Sequence, residues 1–131
     1  MEVHKNIMRK ITESYEDYLK AIYLISKRNR GGWCSNSEIS EILNVKPPSV
    51  SNMLYKLKEN DYIDWAPRKS IRLTRKGKMI AEETLQSYEI LKEFFSNILN
   101  IDDDSLVEKL SCEIEHHLTP DVSEAIQNLI H

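Results

Sequence analysis

Hydrophobic side chains recur at three- and four-residue steps along most of the chain, a pattern that predicts a mainly α-helical protein. The first segment of this kind runs from about Thr12 to Lys27, and the Arg30-Gly31-Gly32 stretch ends it. Its apolar positions include Tyr15, Tyr18, Leu19 and Ile22.

Two further helices are predicted in the next thirty residues or so. Ser35 and Glu38 have the spacing of a capping box, in which the two side chains serve free amides at a helix start. A short break then leads to Pro47-Pro48, residues that are tolerated at a helix entrance. The predicted buried positions are Ile39, Ile42 and Leu43 in the first of these helices, and Val50, Met53, Leu54 and Leu57 in the second.

The stretches Tyr62–Trp65 and Ile71–Thr74 both alternate between apolar and polar residues, and a turn with a proline separates them. This pattern predicts a β-hairpin. Two helices joined by a tight break and followed by a basic hairpin make a winged helix-turn-helix, whose second helix enters the major groove of DNA.

Three more helices are predicted after the hairpin: one from Thr74 to about Asn100, one from about Asp102 to Leu118, and one that begins at Thr119-Pro120. The long helix has a wider apolar surface than one small neighbour could cover, which favours burial against a second chain. We therefore expect a winged helix-turn-helix domain at residues 1–74 and an α-helical metal-binding and dimerisation domain at residues 75–131.

Charge divides the chain in the same way. Residues 1–80 hold 16 basic and 9 acidic side chains, a net +7, whereas residues 81–131 hold 2 and 12, a net −10. A basic half favours a polyanionic partner such as DNA. The predicted groove contacts are Ser49, Ser51 and Asn52, and the predicted phosphate contacts are Lys56, Arg68, Lys69 and Arg72.

Several classes of protein are excluded by what the sequence lacks. The chain has only three glycines, so it contains no glycine-rich nucleotide-binding loop. The two cysteines, Cys34 and Cys112, lie far apart and encode neither a disulfide framework nor a zinc ribbon. No apolar run approaches the roughly 20 residues of a membrane span. We expect a cytoplasmic protein that is not an enzyme.

Cys112, Glu115 and His116 stand at i, i+3 and i+4 of the penultimate predicted helix. Its apolar stripe, which ends at Ile114 and His117, faces the other way. A thiolate, a carboxylate and an imidazole on consecutive turns can bind one divalent ion, and this mixture suits iron(II) or manganese(II) better than magnesium or calcium. One helix cannot complete the ligand shell, and Asp17 is a candidate for the missing oxygen.

These motifs resemble those of the diphtheria toxin repressor and manganese transport regulator family, from about Thr12 to the end of the chain. The resemblance rests on the segments Ser14–Leu19 with Ile22-Tyr23, Pro48–Ser51, Leu73–Gly77 and Cys112–His117. It implies a homodimeric repressor that binds DNA when activated by a metal, of the shorter type without a third domain.

Carried over by position, the resemblance implies a metal site of Asp17, Cys112, Glu115 and His116. Iron-dependent members have methionine where Asp17 stands and cysteine at the Cys112 position, whereas manganese-dependent members have aspartate and glutamate. The mixed set implies iron(II) first and manganese(II) second. Further ligands of the family are replaced here by Lys20, Tyr88 and Lys92, which implies one principal site per subunit.

Three alternatives stay open at the level of sequence. The chain could be a metal-independent winged-helix regulator that senses a small ligand or thiol oxidation through Cys112. It could be a metallohydrolase with Glu115 as the base, although it has no HExxH motif. It could also be a winged helix that binds only proteins. Asp17 could equally be an acidic residue that favours the helix dipole, together with Glu13 and Glu16.

Overall fold

The structure, a computed structural model, describes the backbone of residues 2–131 and the side chains of residues 13–131. Its chain forms two compact units, residues 1–82 and 83–131. The helices are α1 (Glu2–Arg28), α2 (Asn36–Leu43), α3 (Pro47–Glu59), α4 (Arg75–Glu93), α5 (Asp104–Ile114) and α6 (Pro120–Ile130), and the strands are β1 (Ile63–Asp64) and β2 (Arg72–Leu73). The mainly helical fold with a hairpin after α3 confirms the predicted class.

Helix α1 supplies the centre of the first unit. Leu19, Ile22 and Ile25 are fully buried, and the helix packs against α2 and β2. It begins at Glu2, so the predicted start near Thr12 was wrong. No proline or glycine interrupts residues 2–28, and the apolar periodicity marks only the part that is buried.

The predicted capping box at the start of α2 is present, with Ser35 and Glu38 bonded reciprocally. The pKa of the Glu38 carboxyl is lowered, first by a hydrogen bond from Asn29 and then by those from Ser35. Ile39 is fully buried as expected, but Ile42 is 45% exposed, so its predicted burial was wrong. The helix has only eight residues and ends at Asn44 in a left-handed conformation, so its buried stripe is short.

Helix α3 begins at the proline pair and buries Val50, Leu54 and Leu57. The hairpin follows, with Ile63 opposite Leu73 and Asp64 opposite Arg72. A further bridge pairs Cys34 with Ile71, so the segment between α1 and α2 lies along the hairpin. Burial raises the pKa of the Cys34 thiol to about 12, which keeps this cysteine neutral.

Gly77 in the first turn of α4 lies directly against the backbone at Tyr62. The Thr74 hydroxyl accepts a hydrogen bond from the Gly77 amide and donates one to Asp61 O, and the Thr74 amide donates to Tyr62 O. A Cβ atom at Gly77 would overlap Tyr62 O and lie 3.0 Å from Tyr62 C. Only glycine permits this close approach.

Replacing Gly77 with alanine is therefore expected to lower the free energy of unfolding by about 1–3 kcal/mol, because the added methyl group must displace backbone atoms. This loss exceeds the gain of up to ~1 kcal/mol in helix propensity. Urea denaturation measures it, and Lys78→Ala, at an exposed position in the same turn, is the control. Equal midpoints for the two variants would contradict the close approach.

The second unit has its own core of Leu91, Phe95 and Val107, with the side chains of α5 and α6 packed around it. Two boundaries differ from those predicted. The long helix becomes π-helical at Phe94–Ile98, and α5 ends at Ile114, where a 3₁₀ turn covers Glu115–His117. Thr119 caps α6 as expected. Within the described chain, no helix combines the length and hydropathy needed to cross a membrane.

Candidate metal centre and nucleic-acid interface

The three candidate ligands of the second unit lie at the end of α5. Cys112 belongs to the helix itself, and Glu115 and His116 belong to the 3₁₀ turn that continues it. The Glu115 amide still donates to Ser111 O, so the two segments are continuous. The tighter turn rotates the later side chains away from their ideal α-helical directions. His117, the last residue of this turn, is exposed, so its predicted place on the apolar stripe was wrong.

Cys112, Glu115 and His116, here called the trio, combine one exposed and two buried side chains. The Cys112 side chain is exposed, whereas the side chains of Glu115 and His116 are 0% and 4% exposed. Glu115 Oε1 lies 3.5 Å from His116 Nε2, and a Glu115 carboxylate oxygen lies within 4.8 Å of Cys112 Sγ. The Glu115 carboxylate therefore lies close both to the imidazole of His116 and to the thiol of Cys112.

Tyr88 on α4 lies among the charged groups around the trio. The pKa of Tyr88 on α4 is raised, first by burial and then by the negative groups Glu108 and Cys112. Lys92 lies against the Tyr88 ring, 5.4 Å from its centre. A buried carboxylate needs compensating positive charge or hydrogen-bond donors, because the interior screens charge poorly.

The donor set fits a transition metal. Thiolate, carboxylate and imidazole together are typical of sites for iron(II), manganese(II) or zinc. The buried Ser111 hydroxyl, one turn before Glu115, has no hydrogen-bond partner among the described residues. A metal site with ordered water nearby would satisfy such a group.

Asp17, the fourth candidate ligand, lies on α1 in the first unit and is half-buried. Lys20 follows one turn later on the same helix and is also half-buried. Both side chains have interactions with other residues of the chain. The assignment of Asp17 as a ligand stays a prediction.

The outward face of α3 is a polar surface. Ser49, Asn52 and Lys56 are exposed on it, as expected for residues that contact DNA. Ser51 is half-buried, and its hydroxyl accepts a hydrogen bond of 3.0 Å from Asn36 Nδ2. This face can enter a groove, but Ser51 lies at its edge.

The basic residues of the hairpin have two different environments. Arg68 and Lys69 are exposed at the turn, where Arg68 has a left-handed backbone with φ 66°. Arg72 instead donates to Gly31 O at 3.0 Å and lies over the Trp33 ring, 4.9 Å from its centre. The Arg72 guanidinium is thus held against the loop after α1, a contact that sequence analysis missed.

Sequence analysis also missed the contact between α3 and the hairpin. The rings of Tyr55 and Trp65 meet edge to face with centroids 4.9 Å apart. Nothing in the periodicity of the two segments indicated that these rings would meet. The pair fixes the wing beside the candidate recognition helix.

Comparison with known proteins matches nearly the whole chain to two domains of one family. Residues 10–71 match the iron dependent repressor N-terminal DNA binding domain. Residues 74–131 match the iron dependent repressor metal binding and dimerisation domain.

Two relatives are similar over most of their length. An uncharacterized HTH-type transcriptional regulator of Methanocaldococcus jannaschii is 33% identical over 117 residues, which are 89% of this chain and 92% of the relative. The HTH-type transcriptional regulator MntR of Shouchella clausii is 34% identical over 119 residues, 91% of this chain and 80% of the relative.

Two solved structures share the fold. The manganese regulator SloR aligns with a TM-score of 0.75 and 29% identity, over 88% of this chain and 53% of that one. IdeR of T. acidophilum aligns with a TM-score of 0.72 and 27% identity, over 87% of this chain and 52% of that one. The chain spans about half the length of these two proteins.

Proposed function

Because the chain belongs to the iron dependent repressor family of metal-dependent transcriptional repressors, we propose that it represses metal-homeostasis genes by binding their operators as a homodimer. The observation that carries this proposal is the trio of Cys112, Glu115 and His116, in which a fully buried carboxylate lies beside an imidazole and a thiol. The family match favours this function over a metal-independent regulator.

We propose that Asp17, Cys112, Glu115 and His116 hold one divalent ion in each subunit. The buried Glu115 carboxylate would hold the ion, which would supply positive charge beside it. Thiolate favours softer metals, so iron(II) is the first choice and manganese(II) the second. A second ion is disfavoured, because Lys20, Tyr88 and Lys92 occupy positions where the family places further ligands, and Lys92 already brings an ammonium group to Tyr88.

Asp17 belongs to the helix that packs against α2 and β2, so its position is tied to that of the DNA-binding unit. By sharing an ion with the trio, Asp17 would restrict how α1 moves relative to α5. In a dimer, this restriction would set the spacing of the two α3 helices. Half-sites about one helical turn apart, roughly 34–36 Å, would then be matched in the loaded state.

The proposed DNA contacts are of two kinds, polar contacts to bases or the groove and cationic contacts to phosphates. Ser49, Ser51 and Asn52 would contact base edges or the groove, since hydroxyl and amide groups can donate to and accept from bases. The proposed phosphate contacts are Lys56, Arg68, Lys69 and Arg72. Of these, Arg72 already has two partners in the protein, so we expect it to contribute least.

Operator binding is expected to strengthen by about 5–150-fold when iron(II) or manganese(II) replaces a chelator, the usual range for coupling between two sites. Fluorescence anisotropy with a duplex from the upstream region of the gene measures this, under anaerobic conditions for iron(II). Calcium is the control, because it prefers all-oxygen ligands. The response should weaken as pH falls, since thiolate and imidazole must lose protons to bind metal. Equal affinity in chelator and in both transition metals would refute the proposal.

A further inference from the structure

A cleft of about 190 Å³ lies between the end of α1, the loop that follows it, strand β2 and the first turn of α4. All of its residues belong to the first unit. Three cationic side chains line it, each from a different element: Lys27 from α1, Arg72 from β2 and Lys78 from α4. Among the described residues, no carboxylate lines it. The cleft therefore gathers positive charge that its own walls do not neutralise.

Glu82 is the acidic residue with the clearest influence on these cations. Its carboxylate lies 4.0 Å from Lys78 Nζ, and both side chains are at least half exposed. Such exposed pairs are weak, because water screens them. The charge of Glu82 also raises the pKa of Lys27, after the larger effect of Tyr23. One carboxylate thus acts on three cations, and the cleft keeps a net positive charge.

The ordinary preference of lysine for one end of a helix explains only one of the two lysines. Lys27 lies in the last turn of α1, where positive charge interacts favourably with the helix dipole. Lys78 lies in the first turn of α4, where the dipole favours negative charge and no acidic residue is present. An anion bound in the cleft would resolve this conflict.

The guanidinium of Arg72 is held in place by its neighbours. It donates to Gly31 O at 3.0 Å and lies over the Trp33 ring. A Cβ atom at Gly32 would lie only 3.5 Å from Arg72 Nη2, so the loop backbone also passes close to it. Arginine has five N–H donors, and those not used by Gly31 can serve a ligand. A group fixed in this way loses little conformational entropy on binding.

Ser26 on α1 gives an independent indication of a ligand. It lines the same cleft, and its hydroxyl oxygen is buried without a hydrogen-bond partner among the described residues. A buried hydroxyl destabilises the fold unless it finds a partner. Rotation about χ1 moves the hydroxyl between staggered positions. An anion in the cleft would provide the acceptor that Ser26 lacks.

We propose that this cleft binds one free inorganic phosphate, or another oxyanion of that size, through its three cations and the Ser26 hydroxyl. The volume has room for about six water molecules, which suits a phosphate group with some water but not a nucleotide. A phosphate of DNA is the other source of the same chemistry, but neither α2 nor α3 lines this cleft. The site goes beyond the proposed function and does not depend on it.

Calorimetric titration of the full chain with sodium phosphate tests the site. The protein is first stripped of metal with a chelator and dialysed into chloride buffer of constant ionic strength, so that no metal ion can hold the phosphate. We expect one phosphate per chain with a dissociation constant of about 1 mM or below, the strength of two or three hydrogen bonds to charged groups.

The double variant Lys27→Gln/Lys78→Gln should raise this dissociation constant at least about 10-fold. Arg75→Gln/Lys109→Gln removes the same charge at exposed positions outside the cleft and is the control, with an expected change of less than about two-fold. The absence of saturable binding by the unmodified chain would overturn the site. Equal dissociation constants for the two double variants would do so too, since the phosphate would then respond only to overall charge.

Ser26→Ala provides a test without a change of charge. It should weaken phosphate binding by about 10-fold, the value of a hydrogen bond to a charged group. In phosphate-free buffer it should raise the urea midpoint, because it removes a buried hydroxyl that has no partner. A purely structural serine would not combine these two effects. Ser123→Ala, in helix α6 of the second unit, is the control for phosphate binding. A Ser26→Ala protein that binds phosphate as tightly as the unmodified chain would overturn the proposed ligand set.

The salt dependence of DNA binding distinguishes the two sources of phosphate. Each phosphate neutralised on B-DNA contributes about 0.9 to the slope of log K against log salt. On a non-operator duplex with chelator, Lys27→Gln/Lys78→Gln should leave this slope unchanged. A reduction of about 0.9 or more would assign the cleft to the DNA backbone and overturn the free-anion site. Because neither measurement uses metal, failure of the metal-dependent operator binding would leave both results intact.

Discussion

Replacing Glu115 with glutamine is expected to abolish the metal-dependent rise in operator affinity. The side chain is fully buried 3.5 Å from His116, and glutamine keeps its shape but removes its charge. A neutral amide is a much poorer ligand for a transition ion than a carboxylate. Loss of supporting residues alone costs roughly 10–100-fold in metal affinity, so loss of a ligand should cost at least about 100-fold. Calorimetric titration with manganese(II), alongside anisotropy with the operator, measures both effects.

Glu113→Gln is the matched control, since Glu113 is exposed two residues earlier, near the end of α5, and loses the same charge. We expect this variant to respond to metal as the unmodified protein does. Urea denaturation without metal shows whether Glu115→Gln still folds. A folded Glu115→Gln protein with unaltered metal affinity would exclude Glu115 from the site.

Local sequence chemistry predicted the helical framework well, because the signals that start helices act within a few residues. The Ser35–Glu38 capping box, the proline entrance of α3 and the Thr119 cap are all present. Each depends on one or two side chains that serve nearby amides. Such signals need no knowledge of the rest of the chain.

The features that sequence analysis missed depend on contacts between distant segments. Cys34 pairs with Ile71, and Gly77 fits only because Tyr62 approaches it. The burial of Ile42 was overestimated because apolar periodicity says which face is apolar but not whether a neighbour covers it. No local pattern carries this information.

For the candidate metal site, too, local spacing could be used but contacts between distant segments could not be predicted. The prediction that Cys112, Glu115 and His116 form one site comes from their spacing, because all three belong to one turn and a half of chain. The depth of burial of Glu115 could not be predicted, since it depends on the 3₁₀ turn and on packing. The resemblance supplied the strongest reason to add Asp17, because no spacing links α1 to α5.

The proposed homodimer predicts an effect as large as that expected for Glu115→Gln. Leu106, 43% exposed in the first turn of α5, and Leu99, 51% exposed, are large apolar side chains left open on a unit that matches a dimerisation domain. We propose that a second chain covers them. Leu106→Glu is then expected to raise the dimer dissociation constant at least about 100-fold, because burying an unpaired carboxylate costs several kcal/mol.

The substitution is designed to spare the subunit itself. Position 106 lies near the start of α5, where its amide bonds to Asp103, and a carboxylate there interacts favourably with the helix dipole. Ser105→Glu, at the exposed neighbouring position, adds the same charge and is the control. Sedimentation velocity should show Leu106→Glu as a monomer and Ser105→Glu as a dimer. Because a monomer reaches only one half-site, operator binding should fall with dimerisation, and a Leu106→Glu protein that sediments as a dimer would place the interface elsewhere on the unit.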